Sequence, residues 1–238
     1  MTLPQELAYA LVGLSSPDSN RIESAQRLVM HNWMSVTRLG DTVVMLPAAV
    51  LCLTWLLMGG ATQLALWWCV LLSAGLIIVA ATKIAFLGWG IGISALDFTG
   101  ISGHAMRATA VMPVLLYLTV INTSWRIRLG AVVAGMVFGL LIGTSRLIVH
   151  VHSPAEVVAG CMLGAAVSAT FLWQLHRRVA PVLRLRERYA MPFLLLLLVP
   201  VFIAKPAPTE RWLDAVAKTL TGHEKLYSRG SDRWKSGV

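Results

Sequence analysis

The chain has 238 residues, of which 57% are hydrophobic and 13% charged, and its mean hydropathy is +0.71. These values exclude an ordinary soluble domain and indicate an integral membrane protein. The net charge of +9 does not indicate nucleic-acid binding, because the basic residues lie in loops and tails between apolar segments, where anionic lipid head groups account for them.

The first segment, residues 1–40, is a polar N-terminal tail with one amphipathic pattern. Its apolar residues recur at helical spacing, at Ile22, Ala25, Val29, Trp33 and Val36. We therefore predict a helix in this tail. It lies either on the membrane surface or against the protein's own loops.

The middle segment, residues 41–204, consists of apolar runs, most of them near the roughly 20 residues that a helix needs to cross the hydrocarbon core. We predict six spans, at about 42–58, 61–83, 105–121, 129–149, 154–175 and 191–204. The last span is the shortest and contains Pro192 and Pro200. The predicted fold is all-α, a polytopic bundle of about six transmembrane helices.

The final segment, residues 205–238, is a polar and basic C-terminal tail. Trp212, Val216 and Leu220 have the spacing of a second surface helix. We expect the end beyond this helix, which is rich in Ser, Gly and Arg, to be loosely ordered.

Three polar islands interrupt the apolar runs. In chain order they are Lys83, at the end of the predicted second span; Ser102, Gly103 and His104, before the third; and Arg146, His150, His152 and Glu156, between the fourth and fifth. Charged side chains at the mouths of membrane helices are costly, so a functional site is the default hypothesis. Counting the crossings places all three islands on one face of the membrane.

The opposite face carries a concentration of arginines, which sets the predicted orientation. Its short loops contain Arg126, Arg128, Arg177, Arg178, Arg184, Arg186 and Arg188. Such loops mark the cytoplasmic side of a membrane protein. We therefore expect a multi-pass protein of the inner (plasma) membrane, with the polar islands facing the periplasm or the exterior.

The order and spacing of the islands resemble the type 2 phosphatidic acid phosphatase (PAP2) superfamily, which includes membrane lipid phosphatases and soluble vanadium haloperoxidases. The resemblance consists of a lysine, a Ser-Gly-His triplet, a Ser-Arg pair followed by five residues and a histidine, and an acid four residues later. It covers residues 83–156, about a third of the chain. It implies a phosphatase that uses neither a metal nor an organic cofactor.

The resemblance also implies a role for each matching residue. His152 is the nucleophile that becomes phosphorylated, and His104 protonates the departing oxygen. The phosphate is bound by Lys83, Ser102, Gly103 and Arg146. These residue types suit the chemistry, because cationic side chains and the free N–H groups at a helix start stabilise the charge of a transferring phosphoryl group.

Glu156 has two interpretations, which are compatible with each other. It lies one helical turn after His152, so its carboxylate can hold the imidazole tautomer that leaves the other nitrogen free to attack. It also completes a capping box with Ser153 at the start of a helix. The PAP2 superfamily usually has Asp at this position, and Glu adds one methylene group.

A second departure concerns the first motif. The family's lysine is normally followed by Arg-Pro seven and eight residues later, where this chain has Gly90 and Ile91. One phosphate-binding cation is therefore missing. Arg107, one turn after His104, either replaces it as a phosphate-binding residue or extends to the lipid head groups.

The sequence predicts a membrane phosphatase that hydrolyses a lipid phosphate or pyrophosphate through a phosphohistidine at the outer interface, with membrane lipids as its surroundings. It does not choose among undecaprenyl pyrophosphate, phosphatidylglycerol phosphate, lipid A and phosphatidic acid. Three alternatives remain: a lipid phosphotransferase with the same intermediate, a non-catalytic lipid-phosphate binder or transporter, and a zinc-type site built from His150, His152, His104 and Glu156.

Overall fold

The computed structural model describes residues 19–178, 209–222 and 226–229. The seven α-helices in these ranges are α1 Ser19–Arg38, α2 Thr42–Met58, α3 Thr62–Trp89, α4 Gly103–Thr119, α5 Trp125–Ile148, α6 Pro154–Arg178 and α7 Thr209–Thr221. No β-strand occurs in the described ranges, where an isolated bridge joins Ile93 to Phe98. The predicted all-α class is confirmed.

Four segments are long and apolar enough to cross a membrane: Met30–Met58, Thr62–Trp89, Trp125–Ile148 and Pro154–Arg178. The first includes the end of α1 as well as α2. Helix α4 corresponds to the predicted third span, but it has only 17 residues. The predicted span at 191–204 lies outside the described residues. The chain is therefore a membrane protein, with five of the six predicted spans present as helices.

Helix α4 is the centre of the bundle. Ala105, Met106, Ala108, Ala110 and Val114 along it have no exposed surface. It packs most extensively against α5 and α6, and α2 and α3 contact it as well. Because every side of α4 is covered by another helix, its N-terminal residues Ser102, Gly103 and His104 are held inside the protein.

Glycines let the neighbouring helices approach α4 closely. A Cβ atom at Gly139 of α5 would lie 2.9 Å from the Thr109 Cα atom, and one at Gly160 of α6 would lie 2.6 Å from the Ser102 carbonyl oxygen. Helices in membranes associate mainly by such close packing, because lipid and side chains are equally apolar. These contacts fix the start of α4 beside the start of α6.

The second predicted span ends later than the sequence indicated. Helix α3 continues six residues past Lys83 to Trp89 and ends at Gly90, whose φ of 69° is the left-handed conformation of a helix C-cap. Glycine adopts this conformation without steric cost. The boundary placed at Lys83 was wrong because the apolar residues that follow it are also compatible with a helix.

The described parts of the two tails pack against the bundle. Thr37 of α1 forms a hydrogen bond of 2.6 Å with Ser145 of α5, so the end of the N-terminal helix lies against the protein. Helix α7 packs along α3, where a Cβ at Gly88 would lie 2.7 Å from the Thr221 methyl group. Trp212, Val216 and Leu220 are exposed on α7, as the predicted surface helix requires.

Candidate active site

The start of α6 places Glu156 directly beside His152. Ser153 caps the helix, with the Ser153 N–H donating to the Glu156 carboxylate at 3.2 Å and the Glu156 N–H donating to the Ser153 hydroxyl at 3.4 Å. The same carboxylate oxygen, Oε2, lies 2.5 Å from Nδ1 of His152. The capping and histidine contacts predicted for Glu156 therefore coexist. An ionised carboxylate only accepts hydrogen bonds, so Nδ1 carries the proton and the Nε2 lone pair remains available.

The other oxygen of Glu156 is held by different residues. Oε1 accepts hydrogen bonds from the Thr99 N–H at 2.7 Å, from the Thr99 hydroxyl at 2.6 Å and from Nη2 of Arg229 at 2.8 Å. The Glu156 side chain is fully buried. Every oxygen of this buried carboxylate is therefore satisfied, and its orientation is fixed from both sides.

The surroundings of His152 keep its imidazole uncharged. Burial lowers the pKa of His152 below its usual value; the hydrogen bond to Glu156 opposes this in part, and the positive charges of Lys83 and Arg146 lower the pKa further. A neutral imidazole is the form with a free lone pair. His152 is therefore in the protonation state that a nucleophile requires.

A cavity of about 470 Å³ opens beside His152. Its polar lining residues are Lys83, Thr99, Arg146, His150, His152, Asp214, Tyr227, Ser228 and Arg229. The first and third polar islands thus meet in one cavity, although more than 60 residues separate Lys83 from Arg146. Three cationic side chains line it, which favours an anionic ligand.

His104, in the first turn of α4, lies near Asp41 and Arg107. Its Nε2 atom is 3.7 Å from a carboxylate oxygen of Asp41, the N-cap residue of α2. Its Nδ1 atom is 3.5 Å from Nη2 of Arg107. Arg146 acts electrostatically on both His104 and His152, so it is near both imidazoles. Asp41 favours a protonated His104, the form in which a histidine acts as an acid, whereas burial and the positive charges of Arg146 and Arg107 favour the neutral form.

Two buried polar atoms at the start of α4 lack a hydrogen-bond partner, the Ser102 hydroxyl and Nε of Arg107. Nη1 of Arg107 would lie 3.0 Å from a Cβ at Gly103, so the guanidinium turns back towards the first turn of its own helix. The N–H groups of that turn have no partner within the helix. Unsatisfied donors gathered at a helix start are suited to bind an anion.

Two comparisons with known proteins found a match. A model of the PAP2 superfamily matches residues 88–180, a range that contains the second and third polar islands but not Lys83. A Klebsiella pneumoniae protein, "Uncharacterized 22.5 kDa protein in cps region", is 36% identical over 205 residues, which cover 83% of this chain and 96% of the relative. This chain belongs to the PAP2 superfamily. No solved structure matches it.

Membership of the PAP2 superfamily supports a phosphatase that acts on phosphate esters. The zinc-type alternative gains no support from the side-chain positions. Among residues 19–178, 209–222 and 226–229, no group of three or more His, Cys, Asp and Glu side chains is placed to hold a metal ion. His104 faces Asp41 and His152 faces Glu156 instead of converging.

The PAP2 departure at Gly90 has a structural reason. Gly90 adopts a φ of 69°, and a Cβ there would lie 2.8 Å from the Tyr227 ring. An arginine at this position would be strained in its backbone and would collide with the C-terminal segment. In this PAP2 protein that segment occupies the space, and it brings Arg229 to the cavity.

Three residues of the PAP2 site were missed by sequence reasoning: Asp41, Thr99 and Arg229. Asp41 had a usable signal, since an acid just before a membrane helix is a common N-cap. Thr99 and Arg229 gave none, because they reach Glu156 from 57 and 73 residues away. Within the C-terminal end that we expected to be loosely ordered, Ser228 and Arg229 line the cavity.

Proposed function

We propose that this PAP2 protein hydrolyses a lipid phosphate or lipid pyrophosphate through a phosphohistidine formed on His152. The contact between Nδ1 of His152 and the buried carboxylate of Glu156 carries the proposal, because it leaves Nε2 as the nucleophile beside a cationic cavity. The bundle contains helices that are long and apolar enough to cross a membrane, which favours a substrate anchored in lipid.

In the first step, Nε2 of His152 attacks the phosphorus and the bond to the leaving oxygen breaks. Lys83 and Arg146 stabilise the charge on the equatorial oxygens, together with Ser102, the Gly103 N–H and Arg107. His104, supported by Asp41, donates a proton to the departing lipid alcohol or lipid phosphate.

In the second step, water attacks the phosphorus of the phosphohistidine. His104, now neutral, accepts a proton from this water, and inorganic phosphate leaves while Nε2 of His152 regains its lone pair. Glu156 holds Nδ1–H throughout and stabilises the positive charge that the ring carries while it is phosphorylated.

The test is phosphate release by the detergent-purified protein from a panel of lipid phosphates and pyrophosphates. We expect release by the wild type that persists in EDTA, is inhibited by vanadate and falls by about 10³-fold or more in His152→Ala, because the covalent step is removed. His176→Ala, at the far end of α6, is the matched control and is expected to retain activity.

Three results would redirect the proposal. Loss of release in EDTA would indicate a metal-dependent reaction. Substrate binding without release, in both wild type and His152→Ala, would indicate a lipid-phosphate binder or transporter. Phosphate transfer to an added lipid or sugar alcohol, without release of inorganic phosphate, would indicate a phosphotransferase.

A further inference from the structure

The C-terminal segment 226–229 reaches back into the site and contacts Glu156. Nη2 of Arg229 lies 2.8 Å from Oε1 of Glu156 and 3.3 Å from the Thr99 hydroxyl, and Nη1 lies 3.4 Å from Asp97. Glu156 is fully buried, whereas Asp97 is about half exposed. The contact with Glu156 therefore dominates, since an exposed ion pair contributes little.

The position of this segment is fixed by the end of α3. The Tyr227 N–H donates a 2.9 Å hydrogen bond to the Leu87 carbonyl, one of the last carbonyls of the helix. Such carbonyls have no partner within the helix, so the bond satisfies both groups. The Tyr227 ring lies over Gly90, and α7 packs along α3 just before it. Arg229 is thus delivered to Glu156 by an anchored backbone.

The chemistry of Glu156 indicates why a cation is needed there. A buried carboxylate without a compensating charge is costly, and hydrogen bonds from neutral groups remove only part of the cost. His152 is neutral and Thr99 is uncharged. In the described part of the chain, Arg229 is the cationic side chain in ion-pair contact with Glu156.

We propose that Arg229 is a positioning residue that balances the buried charge of Glu156 and thereby keeps His152 neutral and able to attack. The inference rests on the proposed function of His152 as the nucleophile. Without Arg229, the Glu156 carboxylate would interact more strongly with His152. A carboxylate that lacks another positive charge favours the protonated imidazolium form of a neighbouring histidine.

The charges around His152 agree on the direction of the effect. Lys83 of α3 and Arg146 of α5 disfavour a protonated ring, whereas Glu156 of α6 favours it. Arg229 is paired with the Glu156 carboxylate and therefore offsets the charge that favours protonation. His150 and Asp214 also line the cavity, and Asp97 contacts Arg229. Removal of Arg229 takes away one positive charge, so the negative charges of Glu156 and Asp97 are no longer balanced by it. All these changes raise the pKa of His152.

The test is an NMR titration of the purified full-length protein carrying ¹³C-labelled histidine, in lipid nanodiscs. The chain has six histidines, and His152→Asn identifies the His152 signal. We expect the titration midpoint of His152 to move to higher pH in Arg229→Ala and Arg229→Gln. Arg229→Lys, which keeps the charge, and Lys218→Ala, an exposed control on α7, are expected to titrate like the wild type.

Phosphate release provides the second readout. On the acidic side of the wild-type pH–rate profile, we expect kcat/KM of Arg229→Gln to fall about ten- to hundredfold, which corresponds to the loss of a hydrogen bond to a charged group. We expect kcat/KM to recover partly as the pH rises, because His152 then loses its proton. A fall that is equal at every pH, with an unchanged midpoint, would mean a structural role and would overturn the proposal.

The two proposals fail in different ways. If the wild type releases phosphate from no lipid, the proposed function fails, but the titration still shows whether Arg229 controls the protonation of His152. If the midpoint is unchanged in both Arg229→Ala and Arg229→Gln, the inference about Arg229 fails, whatever the activity of the wild type. Because Arg229→Gln retains hydrogen-bonding capacity, it serves if Arg229→Ala does not fold.

Discussion

At the scale of single residues, the extra methylene of Glu156 has a use. The longer side chain reaches Thr99 with Oε1 while Oε2 contacts both His152 and the Ser153 N–H. An aspartate at this position is shorter by one carbon–carbon bond, so it loses contact with one of the two groups if the backbone stays in place. Glu156 is therefore matched to this site and is not a neutral replacement for the usual aspartate.

The corresponding prediction is that Glu156→Asp impairs the protein. We expect kcat/KM to fall about tenfold or more, and the free energy of unfolding to fall by about 1–3 kcal/mol, because a buried donor on Thr99 or His152 loses its acceptor. Phosphate-release kinetics and thermal unfolding in detergent measure the two effects.

Two further variants serve as controls for this prediction. Glu156→Gln keeps the length and removes the charge, so it is expected to lose more activity than stability. Thr99→Ser retains both donors to Oε1 and is expected to be close to wild type. Full activity in Glu156→Asp would show that the reach of the side chain is unimportant.

At the scale of elements, glycines on α5 and α6 determine how closely α4 is held. The face of α5 that meets α4 contains Gly135, Gly139 and Gly143, whereas Gly130 lies on the same helix with no atom within 4 Å of a Cβ added there. Gly139 and Gly130 thus lie on the same helix, but only Gly139 has atoms of a neighbouring helix close to the position of a Cβ. This difference allows a matched experiment.

We predict opposite effects for alanine at these two positions. Gly139→Ala places a Cβ 2.9 Å from the Thr109 backbone, so the helices must separate. We expect the free energy of unfolding to fall by about 1–3 kcal/mol. Gly130→Ala is expected to be neutral or to stabilise the protein by up to about 1 kcal/mol, because alanine favours a helix. Thermal unfolding of both variants in the same detergent measures the difference. Equal stability of the two variants would mean that the α4–α5 contact is not limiting.

At the scale of the whole molecule, the direction of the site across the membrane follows from the arginine-rich loops. Arg177 and Arg178 end α6 at the face opposite His152, and Arg126 and Arg128 begin α5 at that same face. Arg177 also stacks on Trp173, 4.1 Å from the ring centroid, a contact typical of a membrane interface. From the positive-inside rule we expect the cavity to lie outside the cytoplasm.

Cysteine accessibility tests this orientation. In a protein with Cys52, Cys69 and Cys161 replaced by alanine, Ser94→Cys lies in the exposed loop on the side of the site and Asn122→Cys lies in the exposed loop on the other side. We expect a membrane-impermeant maleimide to label Ser94→Cys in intact cells and Asn122→Cys only after permeabilisation. The reverse pattern would place the site in the cytoplasm.

The sequence by itself determined the helical class, the four segments that are long and apolar enough to cross a membrane, and the residues that define the superfamily. Apolar runs that are long enough to cross the hydrocarbon core directly indicate a membrane environment. The contact between His152 and Glu156 was also predictable, because residues one turn apart meet on a helix. These features depend on local spacing, which a single chain displays without its tertiary structure.

Only the tertiary structure decided which distant residues complete the site. Thr99 and Arg229 reach the Oε1 side of Glu156, and Asp41 reaches His104, through loops and a tail whose paths no periodic pattern specifies. The exact end of α3 was likewise decided by the left-handed conformation of Gly90 and by the C-terminal segment packed over it. Such contacts arise from the packing of whole helices, and the spacing of residues along the chain does not contain them.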